Sequence, residues 1–177
     1  MTADFESSPD ADLRAAVAWA LEELAAVKFP TEVLAQLHPA RRRFLIRKNP
    51  TFEALGEVWR LGPLLIATTG EVFAHGRTIR AAKRERLGIQ SESQEARRDL
   101  AGFAFDSGFA EGSEVNFDAV FIPLTRAQLV WPLTAVGSEV RVLWRRGADA
   151  SSSPEFGSFL RDRVMLMKEP PGASGSW

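Results

Sequence analysis

The sequence predicts an α+β fold, built as an antiparallel sheet or a partly open barrel of about six or seven strands. In this prediction two helices precede the sheet, one helix lies in the middle of the chain and one closes it. Three observations favour this class: helical spacing near both ends, short strand-like runs separated by turn residues between them, and no regular alternation of strand and helix. A parallel α/β protein would show that alternation along most of its length.

Both N-terminal helices are predicted from apolar spacing and from residues that start or stop a helix. Apolar residues recur at positions 13, 17, 21 and 24, Ser8 or Asp10 is suited to cap this helix, and Pro30 ends it. The segment TEVLAQLH (31–38) is predicted as a second, short helix, capped by Thr31 and ended before Pro39.

A β-hairpin is predicted in the central part of the chain. Its arms are Leu64–Ala67 and Val72–Ala74, and they flank the turn sequence TTGE. Gly70 can adopt the positive φ that a short hairpin loop requires. This is the clearest local prediction that the sequence makes.

The remaining elements are a mid-chain helix, three strands and a closing helix. The first is predicted over Ser91–Phe109, where Ser91 and Gln94 fit a capping box. The runs VNFDAVFIPL, AQLVWPL and SEVRVLWRR predict strands. The run SSPEFGSFLRDRVMLM predicts the closing helix, with Ser153 as its cap and Pro154 at its first position.

We interpret residues 10–168 as a single α+β domain, because a chain of 177 residues fits one domain and shows no internal repeat. Residues 1–9 are predicted to form a flexible N-terminus, and residues 169–177 a flexible C-terminal tail.

The composition excludes several chemistries. The chain has no cysteine, so disulfides, thiolate metal sites and cysteine nucleophiles are excluded, and it has no tyrosine. It contains no dinucleotide fingerprint, no phosphate-binding P-loop and no G-x-S-x-G elbow. Its two histidines are 37 residues apart, which excludes a local histidine pair for zinc. We therefore predict no cofactor and no metal.

The location predicted for the protein is the cytoplasm. The start MTADFESSPDAD lacks the basic and apolar regions of a secretory signal, and no apolar run approaches the roughly 18 residues of a membrane span. The absence of cysteine fits a reducing compartment. The net charge of −1 makes nucleic acid an unfavoured partner for the chain as a whole.

His75 is the histidine whose setting favours a chemical role. Period-two alternation along the predicted second hairpin arm places His75 and Arg77 on one face and Thr78 on the other. A nearby arginine favours the neutral, basic form of the imidazole. With a carboxylate such as Asp118, His75 is the candidate catalytic residue. The alternative is a histidine hydrogen-bonded for structural reasons at the sheet surface.

Positive charge concentrates in the middle of the chain. Residues 39–98 carry thirteen bases and six acids, whereas residues 1–38 carry two bases and seven acids. If the basic segments lie together, their face can hold phosphate groups. The alternative is a solvated surface neutralised by the acidic N-terminal helix. The candidate ligand-binding residues are Arg42, Arg43, Arg77, Arg80, Lys83, Arg84 and Arg86.

Three runs carry a resemblance to known sequences: GEVWRLGPLLIATTGEVFAHGRTIRA, ARRDLAGFAFDSGFAEGSEVNFDA and VRVLWRRGADASSSPEFGSFLRDRVMLM. They resemble uncharacterised proteins of high-GC Gram-positive bacteria, over most of the chain after residue 50. This resemblance implies no activity and no residue role. The order of LGPLLIATTGEVFA, VRVLWRR and a closing amphipathic helix is similar to that of pleckstrin-homology-like barrels, which bind anionic ligands with basic loops. The helix at Ser91–Phe109 and the two leading helices depart from that pattern.

The leading hypothesis is a non-catalytic, cytosolic binding protein whose sheet and basic loops bind a protein or an anionic, phosphate-bearing ligand. A second copy of the chain, in a homodimer, is a further partner under this hypothesis. One alternative is a small hydrolase or transferase that uses His75 with a carboxylate. Another is sequence-independent binding of nucleic acid.

Overall fold

The structure of the protein is a computed structural model, and it describes residues 9–43, 46–84 and 92–169. Within these ranges the chain forms three α-helices, α1 (Pro9–Ala26), α2 (Glu92–Asp106) and α3 (Phe156–Lys168). None of the described helices is long and apolar enough to cross a membrane. The strands are β1 (Glu32–His38), β2 (Arg41–Arg43), β3 (Ile46–Lys48), β4 (Thr51–Leu61), β5 (Leu64–Ala67), β6 (Val72–Ala74), β7 (Arg77–Arg80), β8 (Glu114–Phe117), β9 (Val120–Ile122), β10 (Leu133–Val136) and β11 (Glu139–Val142).

Seven of these strands form one open, mostly antiparallel sheet in the order β7-β8-β1-β4-β5-β6-β9. The pair β1–β8 is parallel, with Val33 opposite Val115 and Leu34 opposite Asn116. The pairs β2–β3 and β10–β11 form separate two-stranded ribbons. The α+β class is therefore confirmed, although the described residues contain three α-helices where the sequence predicted four.

The predicted hairpin is confirmed as β5 and β6. The register pairs Leu64 with Ala74 and Ile66 with Val72, and Gly70 in the turn has a φ of +101°. All four residues of β5 are buried, which accounts for the continuous apolar run in this segment.

The prediction of a second N-terminal helix is wrong, because the segment forms β1. This strand pairs with β4 from Glu32 opposite Val58 to His38 opposite Thr51, and it pairs with β8 on its other side. Helix propensities differ by only a few tenths of a kcal/mol among such residues. Two ladders of backbone hydrogen bonds therefore decide the conformation, and the local sequence does not reveal them.

The second hairpin arm also differs from its prediction as one continuous strand. β6 ends at Ala74, and β7 begins at Arg77 and pairs with β8. Between them, Gly76 lies so close to the chain at Asp118 that an added Cβ would be 2.3 Å from the carbonyl oxygen of Asp118. Because of this break, side chains do not alternate between two faces continuously from β6 to β7. His75 and Thr78, predicted to lie on opposite faces, are therefore joined by a hydrogen bond.

Two compact units divide the chain, and each has its own apolar core. The first unit contains the described parts of Met1–Pro30, Trp59–Ala74 and Phe121–Trp177, and in it α1 packs against α3. The second contains the described parts of Thr31–Val58 and His75–Val120. The single domain at 10–168 and the flexible ends at 1–9 and 169–177 stay predictions.

The core of the second unit forms where α2 covers its strands. Phe52 and Phe117 are buried there with their rings edge to face, 5.2 Å between centroids. The helix carries small residues at this contact, including Ala101, Gly102 and Ala104. A Cβ at Gly102 would lie 2.4 Å from Cγ of Arg84, so glycine allows that side chain to cross the helix closely.

The closing helix is confirmed as α3, but its N-cap is Glu155 rather than the predicted Ser153. The Glu155 carboxylate accepts hydrogen bonds from the backbone N–H groups of Gly157 at 2.8 Å and Ser158 at 2.7 Å. The Ser153 hydroxyl instead donates to the carbonyl oxygen of Asp149 at 2.8 Å. A glutamate one residue after Pro154 therefore satisfies the donors at the start of the helix.

Replacing Glu155 with alanine is expected to lower the free energy of unfolding by about 1 kcal/mol at neutral pH, because the N-cap is lost. Burial raises the pKa of the Glu155 carboxyl, but the backbone donors of Gly157 and Ser158 and the charge of Arg161 together lower it below its ordinary value of 4.5. A folded pKa below the unfolded value means that the charged cap stabilises above pH 4.5 and that this stabilisation is lost as the pH falls through the folded pKa.

Urea unfolding of the wild type and of Glu155→Ala, at neutral pH and well below pH 4.5, measures this effect. The difference between the two proteins should shrink in acid, and a difference that stays constant with pH would show that the charge of Glu155 plays no part. Asp162→Ala, which removes an exposed carboxylate from the same helix, is the control and should change stability by no more than about 0.5 kcal/mol.

Candidate functional site

A cavity of about 490 Å³ opens beside β7 in the second unit. One wall is the segment His75–Ile79, with Phe117 at the end of β8. The other wall is one face of α2, where the spacing i, i+3, i+4, i+7 brings four residues together. These residues are Ser93, Ala96, Arg97 and Leu100.

The lining separates into an apolar interior and cations nearer to solvent. Ile79 and Phe117 are 4% and 1% exposed, and Leu100 is half-buried. Arg77 and Arg97 are exposed, and His75 is half-buried between these two environments. An apolar cavity with a few convergent polar groups is the usual form of a small-molecule site.

A chain of hydrogen bonds links His75 to a carboxylate across three adjacent strands. Nε2 of His75 lies 2.7 Å from Oγ1 of Thr78, which donates to Oδ1 of Asn116 at 2.7 Å. Nδ2 of Asn116 donates to Oε2 of Glu32 at 2.8 Å and to the carbonyl oxygen of Val33 at 3.3 Å. Asn116 is fully buried, so each of its contacts replaces a hydrogen bond to water.

The donor and acceptor roles in this series of hydrogen bonds follow from Glu32 and Val33, at the end far from His75. Glu32 and the carbonyl group of Val33 can only accept, so Nδ2 of Asn116 must face them and Oδ1 must face Thr78. Thr78 therefore gives its hydroxyl proton to Asn116 and accepts from His75. The bond to Thr78 therefore requires a proton on Nε2 of His75, which donates to the Thr78 hydroxyl oxygen.

Asp118, the carboxylate predicted to act with His75, is bound by Arg77. Its Oδ2 lies 2.7 Å from Nε and 2.6 Å from Nη2 of Arg77. Asp118 has a φ of +56°. It directly follows Phe117, whose ring centroid lies 4.5 Å from the Arg77 guanidinium carbon. Neither this ion pair nor the Thr78 hydrogen bond joins His75 to Asp118, and the catalytic pair stays a prediction.

The other predicted cations of this segment pair with carboxylates and are not part of the cavity lining. Arg80 binds Glu114 at 2.5 Å, while Lys83 and Arg84 lie 3.9 Å from Glu111 and Asp99. These carboxylates lie in α2, in β8 and in the segment between them. They do not belong to the acidic N-terminal helix that was the alternative source of neutralising charge. The structure describes the backbone of Arg42 and Arg43 in β2, and Arg86 lies outside the described residues.

Arg97 differs from these cations. Within the part of the chain that the structure describes, no carboxylate forms an ion pair with it. It projects from α2 into the cavity lining opposite the segment that carries His75 and Arg77. The arrangement therefore offers a charged group to an anion without first breaking an ion pair.

Sequence reasoning found His75 and Arg77 but missed Thr78, Asn116 and Arg97. Arg97 could have been found from its helical spacing, which places it on one face of α2 with Ser93, Ala96 and Leu100. Thr78 and Asn116 gave no local signal, because they meet only when β7 pairs with β8.

No protein-family profile, curated protein or solved structure matches this chain. The resemblances noted from the sequence therefore stay predictions. Among the residues that the structure describes, no three histidine, aspartate or glutamate side chains converge to hold a metal ion.

Proposed function

We propose that the protein binds a small organic anion with an apolar body in the cavity between β7 and α2. The observation that carries this proposal is the convergence of His75, Arg77 and Arg97 on a single concavity whose interior is apolar. The volume of about 490 Å³ lies within the range of sites that enclose small organic ligands.

The charges and the lining define the class of ligand. Arg97 can bind a carboxylate or phosphate group through paired N–H donors, and His75 adds a second nitrogen group nearby. Ile79, Leu100 and Phe117 would contact an aliphatic or aromatic body. A phosphate or carboxylate carried on a ring or short chain satisfies both parts of the site.

The direction of the His75 hydrogen bond excludes one catalytic role, the activation of Thr78 as a nucleophile. Thr78 carries the hydroxyl closest to the ring, and its proton goes to Asn116. His75 therefore cannot act as the base that activates Thr78 as a nucleophile. The alternative drawn from the sequence, a hydrolase or transferase in which His75 acts with a carboxylate, does not use Thr78 and stays a prediction.

Phenyl phosphate is expected to bind more tightly than inorganic phosphate, which lacks the ring, and than benzyl alcohol, which lacks the charge. Replacing Arg97 with glutamine should weaken the binding of phenyl phosphate by about 10- to 100-fold, because a charge-assisted hydrogen bond contributes about 1.5–3 kcal/mol. Isothermal titration calorimetry with the three probes measures these differences.

Arg98→Gln is the matched control, since it removes the same charge one residue along α2 from a position outside the cavity lining. It should leave the affinity for phenyl phosphate unchanged. Equal losses in the two variants, or equal affinity for phenyl phosphate and benzyl alcohol, would mean that the cavity does not select an anion.

A further inference from the structure

Arg77 lines the cavity, but a carboxylate of the protein itself already binds it. Oδ2 of Asp118 lies 2.7 Å from Nε and 2.6 Å from Nη2 of Arg77. The guanidinium carbon also lies 4.5 Å from the centroid of the Phe117 ring. Asp118 is not among the described residues that line the cavity. One edge of the Arg77 guanidinium group is therefore occupied from outside the cavity before a ligand binds.

The ion pair between Arg77 and Asp118 is weak enough for a ligand to displace it. The two side chains are 55% and 49% exposed. An exposed pair of this kind changes an equilibrium by a factor of about 5 at most. Asp118 therefore competes with a bound anion for Arg77 without excluding that anion from the cavity.

The charge of the ligand decides the result of this competition. The attraction between two charged groups is proportional to the product of their charges. A carboxylate or sulfate carries one negative charge, as the Asp118 side chain does, so Arg77 gains little by exchanging one for the other. A phosphate monoester carries close to two negative charges above pH 7. Such a group attracts Arg77 more strongly than Asp118 does.

We propose that Asp118 makes the cavity selective for phosphate monoesters, because it holds Arg77 until a doubly charged group displaces it. This inference rests on the anion site proposed above and narrows its ligands to one class of anion. Arg97 is available to any anion, since no described carboxylate forms an ion pair with it. Asp118 acts through Arg77 and is a positioning residue, with no contact to the ligand required.

Phenyl phosphate and phenyl sulfate test the proposal at about pH 8, because both carry a ring and a tetrahedral anionic group and they differ in charge. In isothermal titration calorimetry the wild type should bind phenyl phosphate more tightly. In Asp118→Asn, phenyl sulfate should bind about 10-fold more tightly than it binds the wild type, because it gains a charge-assisted hydrogen bond from Arg77. Phenyl phosphate should gain no more than about 5-fold, the effect of displacing Asp118. The preference for the phosphate should therefore narrow.

Further variants show whether Asp118 acts through Arg77. Asparagine, like aspartate, adopts a positive φ readily, so Asp118→Asn should keep the φ of +56° at this position and unfold in urea like the wild type. Arg77→Gln should weaken the binding of phenyl phosphate and leave that of phenyl sulfate nearly unchanged. Adding Asp118→Asn to Arg77→Gln should have no further effect on either affinity.

Glu114→Gln is the matched control. Glu114 pairs with Arg80 across the same two strands, at 2.5 Å, and neither residue is among the described lining of the cavity. The variant removes one negative charge, as Asp118→Asn does, but it releases a cation that does not face the ligand. It should leave the affinities for both probes unchanged.

Three results would overturn the inference while leaving the anion site in place. They are unchanged affinities in Asp118→Asn, equal gains in Asp118→Asn and Glu114→Gln, and a preference for phenyl phosphate that persists unchanged in Arg77→Gln. The second result would assign the effect to the net charge of the protein. Failure of phenyl phosphate to bind the wild type would contradict the anion site itself, and this inference with it.

Discussion

Replacing Phe117 with alanine is expected to lower the free energy of unfolding of the second unit by about 3–5 kcal/mol, the usual cost of removing a buried aromatic ring. Phe117 is 1% exposed and packs edge to face on Phe52. It also supports the guanidinium group of Arg77 and lines the cavity. The variant should therefore lose affinity for phenyl phosphate as well as stability.

Urea unfolding followed by circular dichroism measures the stability of the variant. Phe121→Ala is the matched control, because Phe121 is 53% exposed and its main aromatic contact is the ring of Phe73. The control should cost no more than about 1.5 kcal/mol. Losses of equal size in the two variants would contradict the packing described for the second unit.

Replacing Asn116 with leucine is expected to lower the free energy of unfolding by about 3 kcal/mol. The change removes the hydrogen bonds to Thr78, Glu32 and the carbonyl group of Val33, and each buried polar group left without a partner costs about 1–3 kcal/mol. It also frees the Thr78 hydroxyl, so the orientation of His75 is no longer fixed by the chain of hydrogen bonds.

A double-mutant cycle with Thr78→Val separates the network from simple packing. Thr78→Val alone should cost about 1 kcal/mol, and the double variant should cost clearly less than the sum of the two single variants, because the partners are removed together. Strict additivity of the free energies of unfolding would indicate that Thr78 and Asn116 do not interact.

The elements that the sequence predicted correctly are those fixed by local chemistry. The β5–β6 hairpin follows from two apolar runs around Gly70, and α1 and α2 follow from helical spacing and stop residues. β1 could not be recognised in the same way, because its conformation depends on β4 and β8, which lie far along the chain. Local propensity is weak where pairing partners are distant.

The same distinction holds in the candidate site, between residues that a local pattern indicates and contacts that depend on distant strands. His75 and Arg77 could be named from one strand-like segment, and both line the cavity. The carboxylate that pairs with each cation could not be predicted from the sequence. The register of β7 with β8 is what brings Arg77 to Asp118 and Arg80 to Glu114. The sequence left open whether the basic segment is an anion-binding face or a neutralised surface, and the structure places carboxylates of the second unit beside Arg77, Arg80, Lys83 and Arg84.

Titration of ¹⁵N-labelled protein with phenyl phosphate, followed by amide chemical shifts, tests the central claim most directly. The cavity is predicted to respond in a saturable way, with the largest shifts at Thr78, Ile79, Arg97 and Leu100. Shifts concentrated instead at the ion-paired Arg80 and Lys83, or a spectrum that phenyl phosphate leaves unchanged, would contradict an anion site between β7 and α2.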